Sequence, residues 1–131
     1  MILLDTHVLF WFAFDPTRLS APATAAIRRA VASGGVAIAS VTLVELAMIV
    51  ARGRFRPAGT TEAWLTELVE RTGVVVKEIT PAVAVLATQL PDDVARDPAD
   101  RLIAATARAE GLPLVTRDRS LRRSRLIETV W

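Results

Sequence analysis

Apolar residues along this chain follow two rhythms. Short runs that are apolar at nearly every position occur at 1–4 ("MILL"), 35–40 ("GVAIAS"), 74–79 ("VVVKEI"), 112–116 ("LPLVT") and 125–130 ("RLIETV"). Their length and bounding Gly, Ser and Pro residues predict buried strands. Between them lie segments with helical start and stop signals. The first strand leads into "DTHVLFWFAF", read as a helix. Residues 20–33 follow Ser20 as N-cap, and 41–53 pair Thr42 with Glu45 at capping-box spacing and close at Gly53. Residues 60–73 form a further helix with a Gly stop, and 80–90 have Thr80 at the N-cap and Pro81 at N1. The stretch "DPADRLIAATARAEG" places Asp97 at the N-cap, Pro98 at N1 and Asp100 at N3. "RSLRRS" reads as a short helix capped by Asp118.

Apolar strands alternating with helices predict an α/β protein, a three-layer α/β/α arrangement with a mainly parallel central sheet. The 131 residues fit one domain spanning 1–131. A chain of this size buries roughly two-thirds of its unfolded surface, enough for a proper core.

Composition narrows the chemistry. There is no cysteine, so disulfides, thiolate metal sites and a Cys nucleophile are excluded, and the single histidine is His7. The longest uncharged run, 30–44, has 15 residues and is split by Gly34-Gly35; a membrane span needs about 20. Met1 is followed by "ILLD" with no basic segment. The expectation is a soluble, cytoplasmic protein with no membrane partner. Net charge is only +2, but the basic residues are 15 Arg and the single Lys77. Arginines concentrate in "ARGRFRP" and "TRDRSLRRSR", which suits phosphate contacts and equally suits a solvated surface.

Four acids stand where such folds place ligands, beyond the carboxyl ends of strands. Asp5 follows the first strand, Glu45 lies near the start of the helix after "VAIAS", Asp100 lies in the first turn of its helix, and Asp118 follows "LPLVT". Each has a local explanation: Glu45 completes a capping box, Asp100 favours a helix dipole, Asp118 caps a helix. Asp5 is hardest to explain so, because it puts one charge inside an apolar segment. Gathered together, carboxylates call for protonation or a divalent cation. Oxygen ligands suit Mg²⁺, and such ions activate water against a phosphodiester.

Three stretches in order, "LLDTHVLFW", "SVTLVELAM" and "RDPADRLIAATARAEGLPLVTRD", resemble the PIN-domain ribonucleases, and among them the VapC-type toxins of bacterial toxin–antitoxin pairs. The resemblance covers essentially the whole chain. It implies an endoribonuclease dependent on Mg²⁺ or Mn²⁺, a homodimer, an RNA substrate and a cognate antitoxin. Carried over by position, the family acids fall on Asp5, Glu45, Asp100 and Asp118, and none is missing. Asp5 and Asp100 would ligate metal directly; Glu45 and Asp118 would ligate it directly or through water, or orient the attacking water. Asp97 stays a cap.

Around these acids, Thr116 is placed to orient a carboxylate or water, and Arg117 and Arg119 to meet phosphate. His7 is expected to bond the local backbone, with a contact to substrate or metal as the other reading. "VLFWFAF" is apolar all round, which fits a core or an interface; the resemblance favours partner contact through Trp11, Phe12 or Phe14. Two other enzyme-like readings fit poorly. A phospho-acceptor domain needs an acidic pair after the first strand and a late lysine, and an Asp-nucleophile phosphatase needs D-x-D where this chain has "DTH". A non-catalytic α/β module that binds nucleic acid through the arginines stays open.

Overall fold

The computed structural model describes residues 1–131. Five strands, β1 (Ile2–Leu4), β2 (Val36–Ala39), β3 (Val75–Lys77), β4 (Leu114–Val115) and β5 (Thr129–Val130), form one sheet in the order β3-β2-β1-β4-β5. Every pairing is parallel, with Leu4 opposite Ile38 and Val115. The helices are α1 (Thr6–Phe14), α2 (Ala21–Ser33), α3 (Val41–Ala51), α4 (Thr61–Thr72), α5 (Pro81–Gln89), α6 (Pro98–Glu110) and α7 (Arg119–Arg123), with a 3₁₀ turn at Pro16–Arg18.

Successive strand residues point to opposite faces, and the core divides accordingly. Leu3, Ala37, Ala39 and Leu114 pack with Val83 and Ala87 of α5, Ile103, Ala104 and Ala107 of α6, and Leu121 of α7. Leu4, Val36, Ile38 and Val115 pack with Val8 and Leu9 of α1, Ile27 of α2, Leu46 of α3 and Leu68 of α4. Burial on both faces is why β1, β2 and β4 read as continuous apolar runs, and it completes the expected three layers. The expected burial fails at the edge strand β3, where nothing covers Val75 and Val76 and both are exposed.

The helix signals hold at most ends. Ser20, Thr60 and Thr80 each accept a hydrogen bond from the backbone three residues on, and Gly73 and Gly111 end their helices with positive φ. The strands are shorter than their apolar runs, because β3 and β5 are edges and Pro113 has no N–H to extend β4. The capping box is a correction. The N-cap of α3 is Ser40, which makes no side-chain cap bond, while Thr42 is fully buried and Glu45 turns away toward α1.

One side chain ties α6 to the segment before it. The Arg101 guanidinium donates through Nε to the Ala87 carbonyl (3.0 Å), through Nη1 to the Ala95 carbonyl (2.8 Å) and through Nη2 to the Leu90 carbonyl. It also pairs with Asp92 at 3.4 Å. These acceptors are the carbonyls left over where α5 ends and the 90–96 loop turns. Arg101→Ala orphans them together, and urea unfolding should show a loss of about 3 kcal/mol. Arg101→Lys should recover only part, because an ammonium lacks the fork; unchanged midpoints in both variants would contradict the clamp.

Candidate active site

The strand order reverses beside β1: the chain moves outward through β2 and β3, then returns to the other side of β1 with β4. Crevices form at such switch points, and Asp5 occupies this one. Its N–H donates to the Val115 carbonyl (3.0 Å), so the backbone is still fastened to β4 when the side chain emerges. Oδ1 accepts from the Thr6 N–H (2.7 Å) and Oδ2 from the Thr116 hydroxyl (2.6 Å). Thr116, fully buried, also accepts from the Asp118 N–H at 3.0 Å. One hydroxyl therefore fixes Asp5 and the backbone of Asp118 together. Burial pushes the Asp5 carboxyl up from its ordinary value; the bonds from Thr116 and Thr6 and the charge of His7 oppose this, and Asp118 adds to it.

Glu45 enters from α3. The buried Thr6 hydroxyl donates to its Oε1 (2.5 Å), and Thr42 Oγ1 lies 3.3 Å from the same hydroxyl. Having one hydrogen, Thr6 gives it to the carboxylate and accepts from Thr42. Burial raises the Glu45 carboxyl too, with the neighbouring charges of Asp5 and Asp97 adding and the Thr6 bond and His7 opposing.

The start of α6 supplies two more acids. Asp97 Oδ1 accepts from the N–H groups of Ala99 (2.8 Å) and Asp100 (3.2 Å), the expected cap. Asp97 is also more than a cap: ligand oxygens of Glu45, Asp97 and Asp100 all lie within 4.8 Å of one another. A capping carboxylate has a second oxygen, and N-cap to N3 spacing aims it the same way as the Asp100 side chain. Burial first, then the charges of Asp5, Asp97, Glu45 and Asp118, push Asp100 up to about 7. Asp118 caps α7 by accepting from the Leu121 N–H (2.9 Å).

Asp5, Glu45, Asp97, Asp100 and Asp118 thus line one pocket, with His7, Val8, Trp11 and Arg117. The molecule's ion pairs are Arg71–Glu67, Lys77–Glu110 and Arg101–Asp92, so none of the five acids forms an ion pair. Carboxylates gathered without an ion-pair partner are the donor set of a hard divalent cation, and the residues fit such an ion.

The remaining candidates separate. His7 is exposed, lies in the acidic pocket against Trp11 (5.9 Å between rings) and makes no backbone hydrogen bond, which corrects that expectation. Arg117 is on the pocket rim, whereas Arg119 faces a different cleft. Trp11 is only 6% exposed and borders the acids; Phe12 and the exposed Phe14 line an apolar groove with Val31, Trp64 and Leu68.

A family model described as PIN domain matches residues 2–125. The chain is 42% identical over 132 residues to Ribonuclease VapC22 of Mycobacterium tuberculosis, covering 99% of this chain and 98% of that one. Its fold is similar to VapBC2 from Rickettsia felis, solved bound to a DNA fragment from their promoter (TM-score 0.72, 18% identity, 98% and 97% of the two chains). It is also similar to VapBC-5 from Mycobacterium tuberculosis (TM-score 0.61, 23% identity, 98% and 95%).

The raised carboxyls set a pH dependence. Between the ordinary 3.8 and about 7, folded Asp100 keeps a proton that the unfolded chain has lost. Stability of the metal-free protein therefore falls as pH rises through that window and levels off above it. Calorimetry in EDTA should show a lower Tm at pH 8 than at pH 5. Asp100→Asn should melt higher than wild type at pH 8 and show a flatter profile. Divalent ions should stabilise wild type and release protons near neutral pH; a wild-type Tm that climbs from pH 5 to pH 8 would contradict the assignment.

Proposed function

The chain belongs to the PIN-domain family, and on that premise we propose that it is a metal-dependent endoribonuclease, the toxin of a type II toxin–antitoxin pair, with residues 1–131 acting as one nuclease domain. The observation that carries this reading is the pocket of five uncompensated acids at the switch point of the sheet. The 42% identity to a ribonuclease over nearly the whole chain supports RNA as the substrate.

Glu45, Asp97 and Asp100 are the groups to hold Mg²⁺ or Mn²⁺, with Asp5 and Asp118 completing the set. A divalent ion held there supplies Lewis acidity, offsetting phosphate charge and lowering the pKa of water. The protein's own part is positioning. Thr116 holds the Asp5 carboxylate and Thr6 holds that of Glu45, so neither reorganises when substrate arrives. A carboxylate of the set whose oxygen is not engaged by the ion would accept the proton of an attacking water. Water adds to phosphorus, the bond to one ester oxygen breaks, and that oxygen leaves as a hydroxyl, taking the proton that the carboxyl received or one from solvent. Arg117 on the rim is placed to receive a phosphate oxygen.

The apolar groove formed by Phe12, Phe14, Val31, Trp64 and Leu68 is the surface we assign to the antitoxin, with Glu67 and Arg71 at its edge. Val44 and Met48, 58% and 41% exposed on α3, supply an apolar surface for a homodimer. No helix is long and apolar enough to cross a membrane; the cytoplasmic location belongs to the toxin reading.

Purified protein should cleave mixed cellular RNA with Mg²⁺ or Mn²⁺ and not with EDTA. Asp100→Asn should reduce the rate to about a hundredth or less while remaining folded. Metal-independent RNA binding without cleavage would favour the non-catalytic module instead. Phe12→Ala and Phe14→Ala should each weaken antitoxin capture about tenfold; unchanged capture in both would remove the groove from consideration.

A further inference from the structure

An acidic pocket repels the phosphates that flank the one it acts on, so a polynucleotide needs cationic ground beside it. That ground lies on one side of the acids. Trp11, which borders them, carries the Arg18 guanidinium 4.9 Å from its ring centroid and that of Arg117 at 6.0 Å. Its ring also packs on that of Trp131, 5.8 Å away and tilted by 52°. Trp131 in turn lines a second cleft, with Arg119, Arg122, Arg123 and Thr129.

Two features of this cleft have no use within the folded chain. Arg119, Arg122 and Arg123 lie three and four residues apart on α7, spacings at which like charges destabilise a helix. None of them belongs to an ion pair, and the sole acid from Arg119 to Trp131 is Glu128. Three exposed guanidiniums around a half-buried indole combine charge for a phosphodiester backbone with a face for a base. Connection to the acids through the Trp11–Trp131 contact favours nucleic acid over an acidic peptide.

We propose that the cleft of Arg122, Arg123 and Trp131 is an accessory binding site for single-stranded RNA, which holds the strand to one side of the scissile phosphate. The strand runs from the acids past Arg117 and Arg18 on Trp11 to a base stacked at Trp131 and phosphates held by α7. This rests on the ribonuclease reading for the strand's course, but binding at the cleft is measurable without cleavage.

The test is fluorescence anisotropy of a short labelled single-stranded RNA in EDTA across a salt series, with wild type, R122A/R123A and W131A. Loss of two phosphate contacts should weaken binding and reduce the slope of log K against log salt by about 1.4. W131A should weaken binding about tenfold with little change in slope. In Mg²⁺ the arginine pair should raise KM and leave kcat unchanged. Should W131A melt well below wild type, the arginine pair alone decides. Cleavage by wild type with unaltered KM, affinity and slope in R122A/R123A overturns the site and leaves the ribonuclease reading standing. Salt-dependent RNA binding lost in R122A/R123A, without cleavage by wild type, upholds the site and removes that reading. Displacement of RNA by oligoglutamate at equal concentration overturns the site in favour of an acidic protein partner.

Discussion

Repulsion among carboxylates is the constraint on which this structure turns. Asp5, Glu45, Asp97, Asp100 and Asp118 are brought to one pocket from four separate places in the sequence, with no basic side chain paired to any of them. Left alone, such charges would protonate, swing apart or unfold the segments that carry them. The fold resists with neutral donors. Asp5 accepts from a hydroxyl and a backbone N–H, Glu45 from a hydroxyl, and Asp97 and Asp118 each cap a helix. Asp100 alone has no such donor, and it is the carboxyl pushed up to about 7. The chain thus orients the cluster and leaves its charge unmet.

That arrangement depends on the sheet. β1 is central, with β2 on one side and β4 on the other, so Asp5, Ser40 and Thr116 follow three neighbouring strands that end together. The register of Leu4 against both Ile38 and Val115 decides where they end. Slipping β4 by one residue would turn Thr116 away from Asp5 and bury the wrong face of the strand. Packing on both faces prevents the slip, since Leu114 and Val115 belong to different halves of the core. Arg101 acts at the same level from the other direction. By tying α6 to the end of α5 and the loop at 90–96, it holds the helix from which Asp97 and Asp100 project.

Much of this was legible in the chain, because short buried strands and capped helices leave local marks. Asp5 was visible as a charge immediately after an apolar run, and Asp118 as an acid two residues past another. What stayed hidden depended on tertiary partners. Thr42 and Glu45 have capping-box spacing, yet Glu45 takes its hydrogen bond from Thr6, 39 residues earlier. No local pattern distinguishes a glutamate folding back on its own helix from one reaching across to another. Asp97 was read as a cap and is one, but the destination of its second oxygen depends on where α3 lies. Thr6 carried no signal either; in sequence it is one threonine beside an aspartate, and only the closed fold buries it between two acids. Arg101 carried no signal, because its acceptors are carbonyls set free where α5 ends.

The placement of arginine completes the logic of the unmet charge. A guanidinium reaching the acids would form strong bidentate pairs and neutralise the pocket with the protein's own atoms, leaving nothing for a divalent ion to balance. Arg117 follows Thr116 directly and lines the pocket, so it is near enough to be a threat. Its head instead lies 6.0 Å from the Trp11 ring centroid, beside the same ring that receives Arg18 at 4.9 Å. An indole face attracts a cation without consuming its hydrogen-bond donors. Trp11 therefore keeps positive charge next to the carboxylates without merging the two, and the donors of Arg117 remain free for a phosphate. A lysine there, compact and more strongly hydrated, would be held less firmly by the ring. At Arg18 and Arg117, arginine on an indole face is what lets cations and unpaired carboxylates stand a few side chains apart.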